Sequence, residues 1–187
     1  MKKFILSLFL FFAKISFSVA PGDYFFTSTG IIAFTSSAPL EIITASSDKM
    51  RGLIDEAKKT FSFRVQYRTF EGFRSGLQRE HFNENYMESE KYPEAFFNGT
   101  IEDEIDFSKD GTYTVNAKGK LNIHGVERDR TIKSTLTITD GIAHVETQFQ
   151  VLLVDHNIKI PKIVTQKIAT EITVDVKGDL KKRFMQH

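Results

Sequence analysis

The sequence predicts an all-β domain, an antiparallel up-and-down barrel of about eight strands with a short helix near one end. Three observations carry this. Apolar and polar residues alternate strand after strand from Thr112 to Leu180, so that Tyr113, Val115, Ala117, Leu121 and Ile123 share one face and Thr114, Asn116, Lys118, Lys120 and Asn122 the other. A period of two gives each strand one dry and one wet face. Asp110-Gly111 and Asp140-Gly141 punctuate the alternation as hairpin turns do. One stretch, Ser75 to Met87, breaks the rhythm by spacing Leu77, Phe82 and Tyr86 among charged residues as a helix would. A two-sheet sandwich is the competing architecture.

In chain order, residues 1–18 come first and stand outside the fold. Lys2 and Lys3 precede an apolar run from Phe4 to Ala13, and small residues follow at Ser16, Ser18 and Ala20, the layout of a secretory signal peptide. Cleavage after Ser18 is favoured, because cleavage after Ala20 would place Pro21 at the new N-terminus. The run is too short to span a bilayer, so no transmembrane anchor is expected once it is removed. Residues 19–187 then read as one domain. Strand segments are expected at 30–36, 40–55 with a break near Met50 to Gly52, 60–69, 96–105, 112–123, 130–140, 142–153 and 171–180. The helix at 75–87 ends before Tyr92-Pro93, which forces extended backbone, and a second short helix or turn is expected at 162–169.

Composition narrows the function. The 25 basic residues lose Lys2, Lys3 and Lys14 with the leader, which leaves 22 against 24 acidic ones and a net charge of −2. No basic stripe with interleaved aromatics is present, so nucleic acid is not an expected partner. The chain has no cysteine; an exported protein without disulfides depends on burial and sheet closure. The expected location is the periplasm or the exterior.

The inward parity mixes small with large residues: Ala117, Gly119, Ser134 and Gly178 against Phe61, Phe63, Tyr67, Tyr113 and Phe149. Small residues on adjacent strands leave a slot. Any small barrel needs an apolar interior, however, and periodicity alone favours a filled core over a hollow one.

The strand ending Leu121-Asn122-Ile123-His124-Gly125-Val126, the segment His81-Phe82-Asn83-Glu84-Asn85-Tyr86-Met87 leading to Lys91-Tyr92-Pro93, and the Asn157-Ile158 pair together resemble the YceI-like family. That resemblance implies a lipocalin-like barrel holding a polyisoprenoid chain, and it reverses the preference for a filled core. The expected ligand is an isoprenoid lipid or quinone. The candidate wall comprises Phe61, Phe63 and Tyr67, then Tyr113, Val115, Ala117 and Leu121, then Ser134 and Leu136, then Phe149, Val151 and Val174. Arg128 and Arg130 share the parity of Ile132 and Ser134 and are candidates for a polar head group, since a guanidinium donates to a diphosphate as a fork. The alternative places residues 127–130 in a solvated loop, and it is the preferred reading.

No reactive constellation competes. His81, His124, His144, His156 and His187 form no i, i+4 pair. His124 is expected to fix the hairpin by a local hydrogen bond, and His144 to be exposed. His156 beside Asp155 would point to the opposite face if both lay in a strand. Asp103, Glu104 and Asp106, like Glu84, Glu88 and Glu90, read as solvated loop carboxylates. Asn98-Gly99-Thr100 is a glycosylation sequon only in form. The expectation is a non-catalytic carrier that requires no cofactor or metal, ahead of a filled barrel with an envelope-stress or interaction role, and further ahead of an enzyme of isoprenoid metabolism. Two copies could pair through edge strands near residues 24–36.

Overall fold

The computed structural model describes residues 23–183, so the expected leader and its cleavage site lie outside the described residues. Eight antiparallel strands follow one another around a closed barrel: β1 (Tyr24–Ser37), β2 (Ile42–Asp55), β3 (Thr60–Gln66), β4 (Glu94–Ile101), β5 (Gly111–Ile123), β6 (Val126–Thr139), β7 (Ile142–Leu152) and β8 (Glu171–Arg183). Each neighbour in sequence is a neighbour in space, and β8 returns to β1. Because β1 pairs on both sides, with β2 and β8, residues 24–36 present no free edge, which removes the expected route to pairing between copies.

Hairpin chemistry sets the register. His124-Gly125 and Asp140-Gly141 both have positive φ at the two central residues (53° and 72°, 49° and 72°), the handedness that matches strand twist. The first turn carries thirteen β5–β6 pairs, from Ile123↔Val126 to Gly111↔Ile138. Asp110-Gly111 is not a hairpin. Gly111 opens β5 after a loop that tucks Phe107 into the core, its ring centroid 5.7 Å from that of Phe25. The break expected in β2 is absent from that strand; the irregularity sits on its partner, where the β1–β2 register shifts on either side of Gly30, opposite Met50. On β4 and β5, Gly99 pairs with Gly119, and a Cβ on either would collide with backbone of the other strand. Only glycine permits so close an approach at a barrel corner.

One end of the barrel is filled. Phe25, Ile54, Phe61, Ile101, Phe107, Leu136, Ile138 and Leu180 pack there as one buried cluster. The other end is roofed by the β3–β4 connection, which holds a short helix α1 (Gly76–His81) continued by one wider turn (Phe82–Tyr86). Ser75 caps α1 by accepting the Gln78 N–H, as the preference for serine at this position predicts. The second helical expectation is met by a single tight turn, Lys162–Val164.

The ladder between β6 and β7 is short. It runs only from Thr139↔Ile142 to Thr135↔Glu146, although both strands continue toward the roofed end. Side chains bridge the seam where the backbone ladder stops. The Thr147 hydroxyl donates to the Lys133 carbonyl (2.9 Å), Arg130 Nη2 to the Gln150 carbonyl (2.8 Å) and Arg128 Nε to the Asp155 carbonyl (2.8 Å).

Candidate ligand-binding cavity

Between the filled end and the roof the barrel is hollow. The main chamber encloses about 470 Å³ beneath α1, and a narrower pocket of about 100 Å³ lies deeper among Phe61, Phe63, Phe97, Ala117 and Ser134. Ile32, Val65, Ala95, Leu121 and Phe149 line both, so the two spaces adjoin across these five side chains, of which Ala95 is the smallest. Ala117 and Ser134, the small residues expected to leave a slot, line the deep pocket from the paired strands β5 and β6.

Aromatic rings from the roof form the upper wall. Phe82 stacks on Phe34 (centroids 5.3 Å, 16° between planes) and tilts against Phe73 (5.1 Å) and Phe70 (5.7 Å). These rings stand in offset and tilted arrangements that aromatic pairs prefer. The polar residues lining the main chamber are few and include Glu41, Ser75, Gln78, His81 and Lys167 beside the buried Ser36, and Ser134 adds a hydroxyl to the deep pocket. An apolar lining with few polar groups selects an elongated apolar guest over a polar metabolite.

The sequence-predicted wall residues fall as follows. Phe61, Phe63, Val115, Ala117, Ser134 and Leu136 line the deep pocket, Tyr67, Val151 and Val174 the main chamber, and Leu121 and Phe149 both. Tyr113 lies off both spaces: it packs against the closed-end cluster, and its hydroxyl donates to the Asp106 carbonyl (3.3 Å). For Arg128 and Arg130 the loop reading fails. β6 is regular through both, and Arg128 pairs with inward Leu121, so no loop forms; each guanidinium donates one hydrogen bond to a carbonyl across the seam. Sequence periodicity missed Phe34, Phe70, Phe73 and Phe82. Three of these lie in the β3–β4 connection, where period two has no meaning; the signal available was three phenylalanines outside any strand pattern, Phe70, Phe73 and Phe82, ahead of the Phe96 strand.

A polar knot fastens the roof to the β5–β6 turn. The His124 N–H donates to the buried Tyr67 hydroxyl (3.0 Å), while its ring places Nε2 2.7 Å from Glu88 Oε2 and Nδ1 3.1 Å from the His156 carbonyl. His124 therefore ties the hairpin to distant parts of the chain rather than fixing it by the local hydrogen bond that its position at a turn predicts. Burial pushes the Tyr67 hydroxyl up to about 12, against the opposing pull of the His124 N–H. His156 is not in a strand: it ends a tight helical turn, Leu153–His156, and is buried, its Nδ1–H donating to the Val126 carbonyl (3.0 Å). Because a carbonyl only accepts, that contact fixes the tautomer. Burial lowers the affinity of this imidazole for a second proton. The loop carboxylates serve local structure. Asp103 accepts from the Asn116 backbone, Asp106 is held down to about 2 by Lys109 and Ser108, and Glu90 meets Arg68. His144 is half-exposed and pairs with Asp179 across β7 and β8.

The YceI-like domain model matches residues 26–180. No curated protein matches the sequence. Among solved structures, a polyisoprenoid-binding domain from Saccharophagus degradans implicated in plant cell wall breakdown superposes with a TM-score of 0.71 at 13% identity, covering 86% of this chain and 98% of its own. BcnA of Burkholderia cenocepacia gives 0.67 at 14% identity, covering 81% and 95%. The Campylobacter jejuni YCEI protein gives 0.52 at 13%, covering 99% and 100%. At such identities the likeness is one of fold.

Proposed function

The chain belongs to the YceI-like family, and from that premise we propose that it is a non-catalytic carrier that holds an isoprenoid lipid or quinone inside the barrel. The observation that supports the reading best is the pair of adjoining apolar spaces, a main chamber of about 470 Å³ and a deeper pocket of about 100 Å³. A filled barrel would spend these positions on its own core.

The energetics favour tight binding. At about 0.8 kcal/mol per buried methylene, a guest of roughly twenty carbons gains on the order of 15 kcal/mol gross, and several kcal/mol are lost to ordering a flexible tail. The volume also limits the guest, so a long prenyl chain folds back or protrudes at the rim. With Arg128 and Arg130 engaged at the seam, recognition rests on the apolar wall. Export to the periplasm or beyond belongs to the same reading, supported by the leader pattern of residues 1–18, as does a homodimer, although not through residues 24–36.

Titration with prenyl alcohols of defined length and with a prenylated quinone, followed by thermal denaturation, tests the proposal. A ligand bound only by the folded barrel raises its melting temperature by mass action. A melting curve that no prenyl compound moves would overturn the carrier reading.

A further inference from the structure

Three large apolar side chains stand in water around the mouth of the main chamber: Leu40 (67% exposed) at the β1–β2 tip, Leu77 (59%) on α1 and Ile163 (91%) on the turn before β8. Single exposed apolar residues are ordinary. Here they come from three elements bound to one another. The Leu40 N–H donates to the Gln166 carbonyl (2.9 Å), and Gln78 Nε2 donates to Glu41 Oε1 (3.2 Å). Their neighbours Glu41, Gln78, Val164 and Lys167, and Leu77 itself, line the chamber. The apolar tips are therefore the outer rim of the chamber.

The same rim is basic. Residues 156–170 contain Lys159, Lys162 and Lys167 and no Asp or Glu. Among the described residues none of the three lysines enters an ion pair. The rim carboxylate Glu41 is already faced by Arg74 (3.8 Å) as well as by Gln78. In a chain that is slightly acidic once residues 1–18 are set aside, this is a local concentration of free positive charge beside exposed apolar tips. That combination suits the surface of an anionic bilayer, where apolar side chains enter the acyl boundary and lysines meet the headgroups.

We infer that the roofed end docks on an anionic lipid bilayer, with Ile163, Leu40 and Leu77 entering the surface and Lys162 and its neighbours holding the headgroups. The inference deepens the carrier reading and rests on it for its purpose: a guest drawn from the bilayer would pass from acyl chains into the chamber without crossing water. A second copy of the chain seated on the rim is the competing occupant.

Flotation with vesicles tests it. Protein is purified from producing cells with its N-terminus verified by mass, since an attached apolar leader would itself bind membrane. It is then mixed with vesicles of phosphatidylcholine alone or of phosphatidylcholine with phosphatidylglycerol. Binding is expected only to the anionic vesicles and should weaken as salt is raised. Lys162→Glu is expected to lower the partition at least about fivefold, the scale of one lysine near such a surface, and Ile163→Ser to lower it as well, both with unchanged melting temperature and unchanged guest content. Equal partition of the wild type and both variants, or no binding to anionic vesicles, would overturn the inference. So would a monomer produced from a dimer by Ile163→Ser, which would assign the rim to self-association. Docking that persists in protein found to hold no guest would sustain the rim and remove the carrier reading, so the two failures are distinguishable.

Discussion

Ala95, on β4 opposite Val65, is the smallest of the side chains that line both chambers. Ala95→Phe directs a ring into the space a guest would thread. The main chamber, about 470 Å³, has room for it: an apolar cavity of about 150 Å³ already admits a benzene ring. The unliganded variant is therefore expected to keep the wild-type stability or exceed it slightly, because the new ring buries apolar area at about 25 cal/mol per Å². The liganded state behaves differently. A guest at about a hundredfold its dissociation constant stabilises the wild type by about 2.7 kcal/mol, which for a domain of this size is roughly 5 to 11 °C in melting temperature. Ala95→Phe should abolish that increment together with guest occupancy. Calorimetry on lipid-loaded and stripped forms of both proteins, with the bound lipid quantified, reads both effects. Ala117→Phe is the internal control. Its pocket of about 100 Å³ is too tight for a ring, and the substitution should cost about 1 to 3 kcal/mol by overpacking. Stoichiometric guest in Ala95→Phe, or a stripped protein destabilised as much as Ala117→Phe, would refute the reasoning and return this position to a filled core.

Three other outcomes follow from the polar knot and the seam. The folded chain keeps the Tyr67 proton up to about pH 12 whereas the unfolded chain releases it near 10; that contribution is intact below pH 10 and is lost as pH rises from 10 to 12, at most about 3 kcal/mol. Tyr67→Phe should flatten this part of the alkaline melting profile, and an unchanged slope would show that the hydroxyl is not held as described. His156 is kept neutral by burial, so its contribution is full above pH 6.5 and declines as pH falls below it; urea midpoints measured between about pH 7.5 and 5 should fall less steeply in His156→Gln. Arg130→Ala removes a charge-assisted hydrogen bond to Gln150 and should cost about 1.5 kcal/mol of stability while changing the affinities for a plain prenyl chain and a head-grouped one equally. A selective loss for the head-grouped ligand, persisting at two salt concentrations, would return this residue to the binding site.

Much of the barrel was legible because half-buried strands write their period directly into the chain. The alternation of Tyr113, Val115 and Ala117 against Thr114 and Asn116 fixed β5, and Asp140-Gly141 fixed the turn after β6. What failed was whatever depends on contacts from far along the chain. Asp110-Gly111 has hairpin chemistry, but the pull of Phe107 toward Phe25 makes its surroundings a plugging loop. β6 begins at Val126 rather than Arg130 because its ladder to β5 is complete even where its side chains are charged. The wall of the deep pocket could be read from parity, as Ala117 and Ser134 illustrate, whereas Phe34, Phe70, Phe73 and Phe82 meet only after the roof folds over. Tyr113 obeys the inward parity and still misses both chambers, since inward residues at the closed end face a packed cluster. The seam was invisible to periodicity, because a missing ladder leaves the alternation of both strands unchanged.

The central claim is that the barrel is hollow in order to be occupied. Organic extraction of protein purified from its own cells under non-denaturing conditions, with mass spectrometry of the extract and of the intact complex, tests it most directly. One isoprenoid lipid or quinone per barrel is expected, released on denaturation and absent from Ala95→Phe prepared in parallel. An intact mass equal to that of the polypeptide alone, with no apolar molecule in the extract at comparable molarity, would contradict it.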